Sequence, residues 1–209
     1  QTGGWFRDEL TSLDDVKGVR FRTPGLGGRV WEKLGATVTN MAAGEIFQAL
    51  QSGTLDAAEF VGPYNDLALG FHQVAKNYYM PSFVESGLAT ELVVDKKKYQ
   101  ELPENLQAII RDVSQAEYDQ VAADFYANDP RALKTLQEEH GVTVRNFPDD
   151  IMEAGAKASV EVVEELRNSD DPLVKKTADS FVEALNLVRT RTENIDSPYV
   201  QARQKFLKY

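Results

Sequence analysis

The chain has 209 residues, 42% of them apolar, and 33 acidic against 23 basic side chains give it a net charge of −10. With an isoelectric point near 4.8, that balance excludes a nucleic-acid surface or an anionic membrane face. There is no cysteine, which excludes disulfides, zinc–thiolate sites and thiol nucleophiles, and no apolar run is long enough to cross a bilayer.

QTGGWFRDEL (1–10) reads as an incoming loop or strand with buried aromatics, Trp5 and Phe6. TSLDDVKG (11–18) reads as a short helix or turn with Ser12 as its N-cap. The block from 18 to 66 then reads as three short strands separated by two helices. VRFR (19–22) alternates apolar and basic residues, and TPGLGG follows as a turn. VWEKLG is a turn or two of helix ending on Gly35, and ATVTNM is the second strand. GEIFQALQSG is an amphipathic helix with Ile46, Phe47 and Leu50 on one face, closed by Gly53. LDAAEFVGP is the third strand, halted at Gly62-Pro63. Strands alternating with helices imply βαβ units and a mainly parallel sheet.

A helix is predicted from about residue 65 to 72, then a strand around Tyr78–Met80. LATELVVD (88–95) alternates strongly enough to predict another strand. From Pro103 the chain turns helical, with Leu106, Ile109, Ile110, Val113 and Ala116 at helical spacing. Asp129-Pro130 is expected to interrupt or kink that helix, which resumes and ends at Gly141. VTVRNF is a short strand, and a long helix begins at Asp149-Asp150, whose charges suit a helix N-terminus. A further helix is predicted from about residue 173 to 194. A last short one opens with Ser197 as N-cap and Pro198 at the first helical position. The organisation expected is an α/β ligand-binding lobe core over 1–101 and a helix-rich remainder over 102–209. The chain opens on Gln1 with no signal-peptide pattern, as expected of a sequence that starts inside a domain.

Catalytic motifs are missing. GLGG is not GxGxxG, and no P-loop, GxSxG or HExxH occurs. Acid pairs such as Asp149-Asp150 and Glu164-Glu165 read as caps or solvated faces. His72 and His140 lie far apart in sequence, match no metal spacing and read as surface or core residues. No nucleophile–base–orienter set emerges. A binding signature does. In open α/β sheets ligands sit outside the carboxyl ends of strands. Arg22 ends one strand and Glu59 lies near the end of another. Arg22 suits either a surface salt bridge or a two-pronged grip on a carboxylate. Glu59 suits either a basic neighbour or a ligand role. Glu85 is an isolated acid among Phe83, Val84 and Gly87, and a buried carboxylate needs a cation or a donor. Oxygen ligands from Glu59, Glu85 and an amide would suit a hard cation such as Ca²⁺ or Na⁺.

The stretch GEIFQALQSGTLDAAEFVGPYNDL, with DDVKGVRFRTPG and LPENLQAIIRDVS, resembles the extracytoplasmic solute receptors of TRAP (tripartite ATP-independent periplasmic) transporters. It is most similar to the subgroup binding small 2-oxo or 2-hydroxy monocarboxylates, such as pyruvate or lactate, together with a metal ion. The resemblance runs along essentially all of the chain and matches the C-terminal portion of such a receptor. It implies a periplasmic-binding-protein (type II) α/β fold with a parallel-rich sheet and long C-terminal helices, and a periplasmic receptor rather than an enzyme. It implies that Arg22 pairs with the substrate carboxylate. Glu59, the Phe60 carbonyl, Glu85 and the Gln1 side chain are implied as ligands of Na⁺ or Ca²⁺, with Glu59, Phe60 and Glu85 also facing substrate. The subgroup often carries Trp where this chain has Phe60. The implied partners are a small organic acid, the membrane permease subunits and a second copy joined through the C-terminal helices. The alternatives are an enzyme or sensor domain built on the same lobe, or a fragment that keeps half a site and does not bind alone.

Overall fold

The computed structural model describes residues 1–85, 87 and 91–207. They form two compact units, residues 1–158 and 159–209.

The first unit is built on six short strands: β1 (Gly4–Phe6), β2 (Arg20–Arg22), β3 (Thr37–Thr39), β4 (Ala57–Ala58), β5 (Asn77–Tyr79) and β6 (Thr143–Arg145). Their order in one sheet is β3-β2-β4-β1-β5-β6. Pairings β2–β3, β2–β4 and β5–β6 are parallel, while β1 runs antiparallel to both its neighbours. The parallel-rich sheet is therefore mixed, and the opening segment of the chain is a central strand. Gly4 makes that insertion possible. Its φ is +117°, and a Cβ there would lie 2.9 Å from the Ala58 carbonyl oxygen.

Both faces of the sheet are covered, and the alternation along β1 shows how. Trp5 points to one face, where it stacks on Tyr78 at 3.9 Å among Ile46, Leu50, Phe71 and Leu136. Phe6 points to the other, against Phe21, Trp31, Tyr79 and Phe147. Helix α1 (Gly25–Lys33) supplies Trp31 to the second face, and α2 (Ala43–Ser52) supplies Ile46 and Leu50 to the first. Gly53 closes α2 in the left-handed region, as its position in the sequence predicts. GLGG is not a plain turn. It is the first turn of α1, which starts directly after extended Pro24.

Helix α3 (Pro63–Leu69) is followed by a 3₁₀ turn, Phe71–Gln73, before β5. A short α4 (Lys96–Glu101) precedes α5, which runs unbroken from Glu104 to Glu138. Of the interruption or kink expected at Pro130, the interruption does not occur: Pro130 lies inside the helix. A proline removes one backbone donor, and its neighbour Asp129 is spent on packing: its Oδ1 accepts from the Tyr64 N–H at 3.0 Å, capping α3. The strand expected over 88–95 falls partly outside the described residues, since Leu88, Ala89 and Thr90 are not among them. The described part, residues 91–95, is not a strand, and Leu92, Val93 and Val94 are exposed. Alternation makes a strand only where a ladder partner exists, and no described strand pairs with this segment.

Helix α6 (Asp149–Arg167) follows β6 and buries Ile151 in the first unit. In the second unit, α7 (Pro172–Arg191) is capped by Asp171, whose side chain accepts from the Leu173 N–H at 2.8 Å. A π-helical turn, Thr192–Asp196, joins it to α8 (Ser197–Phe206). Ser197 is not the extended N-cap expected from Ser-Pro. Its φ and ψ are −63° and −47°, and its N–H bonds to the Thr192 carbonyl. The wider turn carries the helix past Pro198, which has no N–H to donate.

Candidate binding site

Strands β2 and β4 run parallel in register, Arg22 opposite Ala58, so both end at one rim. The register itself places Arg22 beside Glu59. The Glu59 N–H donates to the Arg22 carbonyl at 2.8 Å. In return the guanidinium Nη1 donates to the Glu59 carbonyl at 2.6 Å, and Nε to the Met41 carbonyl at 3.3 Å. Arg22 is 8% exposed and Glu59 4%. The Arg22 guanidinium also lies 5.8 Å from the centre of the Phe60 ring, within cation–π reach. Burial lowers the Arg22 pKa, and the nearby Glu59 works against that.

The Glu59 carboxylate accepts from Gln1 Nε2 at 3.2 Å and from Thr23 Oγ1 at 3.4 Å. These neutral donors do not offset its burial. Desolvation, then the charge of Glu85, push its pKa up to about 7, against the pull of Arg22. Glu85 is half-buried in the segment after β5, and its N–H donates to Ser82 Oγ at 3.1 Å. Phe83, two residues earlier, anchors that segment in the aromatic face, 5.0 Å from Trp31 and 5.3 Å from Phe147 by ring centres. The backbone groups of Glu59 and Val61 are engaged on both their N–H and carbonyl sides. The Val61 carbonyl accepts from the Thr2 N–H at 3.3 Å, and the Val61 N–H donates to Asp66 Oδ1 at 3.4 Å. The Phe60 carbonyl takes no hydrogen bond from the described residues.

The structure thus brings Gln1, Arg22, Glu59 and Phe60 to one rim, with Glu85 close enough to perturb Glu59. It adds two residues the sequence reading did not single out. Thr23 follows Arg22 directly. Asp66 is completely buried, and its Oδ2 accepts from Trp5 Nε1 at 2.9 Å and Tyr78 OH at 2.7 Å. Its pKa is pushed up to about 6 by desolvation, against those hydrogen bonds. A buried acid offered two aromatic donors leaves no local sequence signal, because its partners lie 61 and 12 positions away.

The donor set is all oxygen: two carboxylates, an amide and a backbone carbonyl. Among the described residues no three His, Cys, Asp or Glu side chains cluster as metal ligands. The two carboxylates nevertheless fit a hard cation, because one of them is buried with only neutral donors on it and is destabilised by the other. An open cavity of about 440 Å³ begins at Gln1, Val61 and Gly87 and runs along Tyr118, Phe125 and Tyr126 of α5. His72 and His140, distant in sequence, stack with ring centres 4.1 Å apart, away from this rim.

Residues 1–170 match the model of the bacterial extracellular solute-binding protein family 7, DctP. The chain belongs to this family. A curated relative, the monocarboxylate 2-oxoacid-binding periplasmic protein of Nostoc sp. (strain PCC 7120), is 36% identical over 81% of this chain and 46% of its own length. A TRAP periplasmic solute-binding protein from Colwellia psychrerythraea, solved with bound calcium and pyruvate, superposes with a TM-score of 0.88 at 36% identity. The match covers 96% of this chain and 61% of that one. Another from Pseudoalteromonas atlantica, with bound sodium and pyruvate, gives a TM-score of 0.82 at 33% identity, over 97% of this chain and 61% of that one. This chain therefore spans about half the length of the relative and three-fifths of the two solved structures. The likeness read from the GEIFQALQSG and EFVGPYND stretches to TRAP receptors holds, as does the periplasmic-binding-protein fold it implied. The family is one of extracellular solute-binding proteins, and among the described residues no helix is long and apolar enough to cross a membrane.

Proposed function

We propose that this chain is the part of a TRAP transporter receptor that grips a small 2-oxo or 2-hydroxy monocarboxylate, pyruvate-like, together with a Ca²⁺ or Na⁺ ion. The observation that carries the reading is the buried pairing of Arg22 with the Glu59 strand end, where the Glu59 carboxylate takes its hydrogen bonds, among the described residues, from neutral groups only and has its pKa pushed up by burial and by Glu85. Arg22 would hold the ligand carboxylate through Nη2, the nitrogen that neither of its backbone bonds uses. Glu59, Glu85, the Phe60 carbonyl and the Gln1 side-chain oxygen would hold the cation. The cation supplies the positive charge that lets an anionic ligand sit beside two glutamates. The Gln1 amide already turns its nitrogen to Glu59, which leaves its oxygen for the ion. The Phe60 ring, stacked over Arg22, would form one wall for the ligand.

The named ligands of the Colwellia and Pseudoalteromonas proteins, pyruvate with calcium or sodium, support this assignment. In this reading residues 1–101 form the binding lobe core and 102–209 the helical remainder. The receptor works in the periplasm and delivers its acid to membrane permease subunits, without turning it over. The helices of the second unit support a homodimer. Phe181, Leu185 and Val188 of α7 are all exposed, and their spacing of four and three forms one stripe suited to a partner helix; Ile195, Tyr199 and Phe206, within and beyond the π-helical turn, are exposed as well.

Calorimetry tests the reading. Pyruvate titrated into the native protein in calcium should bind, and Arg22→Ala should weaken it by 2–5 kcal/mol, roughly 30- to 4,000-fold. Unchanged affinity in a folded Arg22→Ala protein removes the assignment.

A further inference from the structure

We infer that Asp66 is a positioning residue for the cation site: it ties the Glu59–Val61 segment to the two central strands and so fixes where the Phe60 carbonyl and the Glu59 carboxylate stand. The inference rests on the cation-site reading above. After β4 the segment has no regular structure to hold it. Its bonds come from three directions. Arg22 holds Glu59 from β2, and the Thr2 N–H holds the Val61 carbonyl from the approach to β1. The third bond is the long 3.4 Å contact from the Val61 N–H to Asp66 Oδ1.

What distinguishes the third bond is its footing. Asp66 Oδ2 is fixed by the Trp5 indole on β1 and the Tyr78 hydroxyl on β5. Those two rings are stacked on each other and fully buried. Asp66 therefore couples the rigid middle of the sheet to the stretch that carries the Phe60 carbonyl, which takes no hydrogen bond from the described residues. Its own N–H closes the first turn of α3 on the Gly62 carbonyl at 2.9 Å, so the side chain has little freedom to follow the loop. Asparagine cannot replace it. Two of its three contacts would need an oxygen on one side and the third an oxygen on the other, and an amide has only one. The Asp66 charge also acts on Glu59, so a buried anion stands behind the cation site as well as a brace.

Calcium is titrated calorimetrically into chelator-treated native protein without pyruvate, and thermal melts are recorded on the same samples. Asp66→Asn should weaken calcium by about 10- to 100-fold, the usual scale for residues that orient metal ligands. Tyr79→Phe is the control for a purely structural effect. It loses the buried hydroxyl that donates to the Leu10 carbonyl and accepts its N–H, away from the site. It should lower the melting temperature and leave calcium affinity unchanged. Glu59→Gln should abolish calcium binding; if it does not, the cation-site reading itself fails. If it does and a folded Asp66→Asn protein binds calcium like wild type, the positioning role alone is overturned. Should Asp66→Asn not fold, Tyr78→Phe keeps the ring stack and removes one of the two Oδ2 donors. A loss of about 5-fold in calcium affinity is then expected, and no loss overturns the role.

Discussion

Removing the cation should make the protein less stable as the pH rises, and Glu59 should be the reason. In the metal-free state its carboxyl titrates near 7, against an ordinary 4.5. Between those values the folded protein keeps a proton that the unfolded chain has released. Stability is therefore full below 4.5, falls at about 1.4 kcal/mol per pH unit, and levels off above about 7 with roughly 3 kcal/mol lost. Asp66 acts in the same direction, but between 3.8 and about 6, so the interval from about 6 to about 7 isolates Glu59 from Asp66. Denaturant unfolding in chelator, repeated across that interval, reads the slope directly. Glu59→Gln cannot titrate and should remove this fall, leaving the opposite trend from His72, whose pKa burial lowers from 6.5. Saturating calcium should remove the fall too, because a bound cation keeps the carboxylate ionised in the folded state and expels its proton. If Glu59→Gln in chelator keeps the wild-type slope, the carboxylate is not the buried, unneutralised group described above.

The remaining predictions are structural and chemical. Leu136, fully buried on α5 among Phe71, Ala75 and Tyr78, should cost about 2–5 kcal/mol on Leu136→Ala, measured by denaturant unfolding. Gly3→Ala should destabilise the first unit, since a Cβ there would meet the Phe147 ring at 2.2 Å; overpacking of this kind costs about 1–3 kcal/mol. Leu185→Glu, in the middle of the exposed stripe on α7, should convert a dimer to monomers in sedimentation velocity while leaving calcium binding intact. A wild-type protein that is already monomeric contradicts the proposed assembly.

How much of this was legible beforehand follows the range of the signal. Arg22 and Glu59 could be placed at one rim from sequence because one ends a strand and the other lies near the end of a second, and parallel register does the rest. The capping glycine at Gly53 was equally readable, being local. Several failures are cases in which a distant partner decides. GWF is only three residues, and nothing in it announces a central strand with antiparallel neighbours on both sides. Residues 91–95 carry strand-like alternation with no described strand to pair with. Pro130 stays inside a helix that continues on both sides of it, beside an aspartate that caps a different helix. Asp66 looked like one more polar residue in EFVGPYND. Its meaning lies in Trp5 and Tyr78, which only the folded sheet brings to it.

The account rests on an organic acid held between a cation on one side and Arg22 on the other. Titration of pyruvate into the native protein at saturating calcium and again in excess chelator tests that directly, because coupled ligands must strengthen one another. The arrangement predicts tight binding with calcium and a loss of about 100-fold or more without it. Equal affinity in chelator would mean that the acid is held without the ion, contradicting the proposed site.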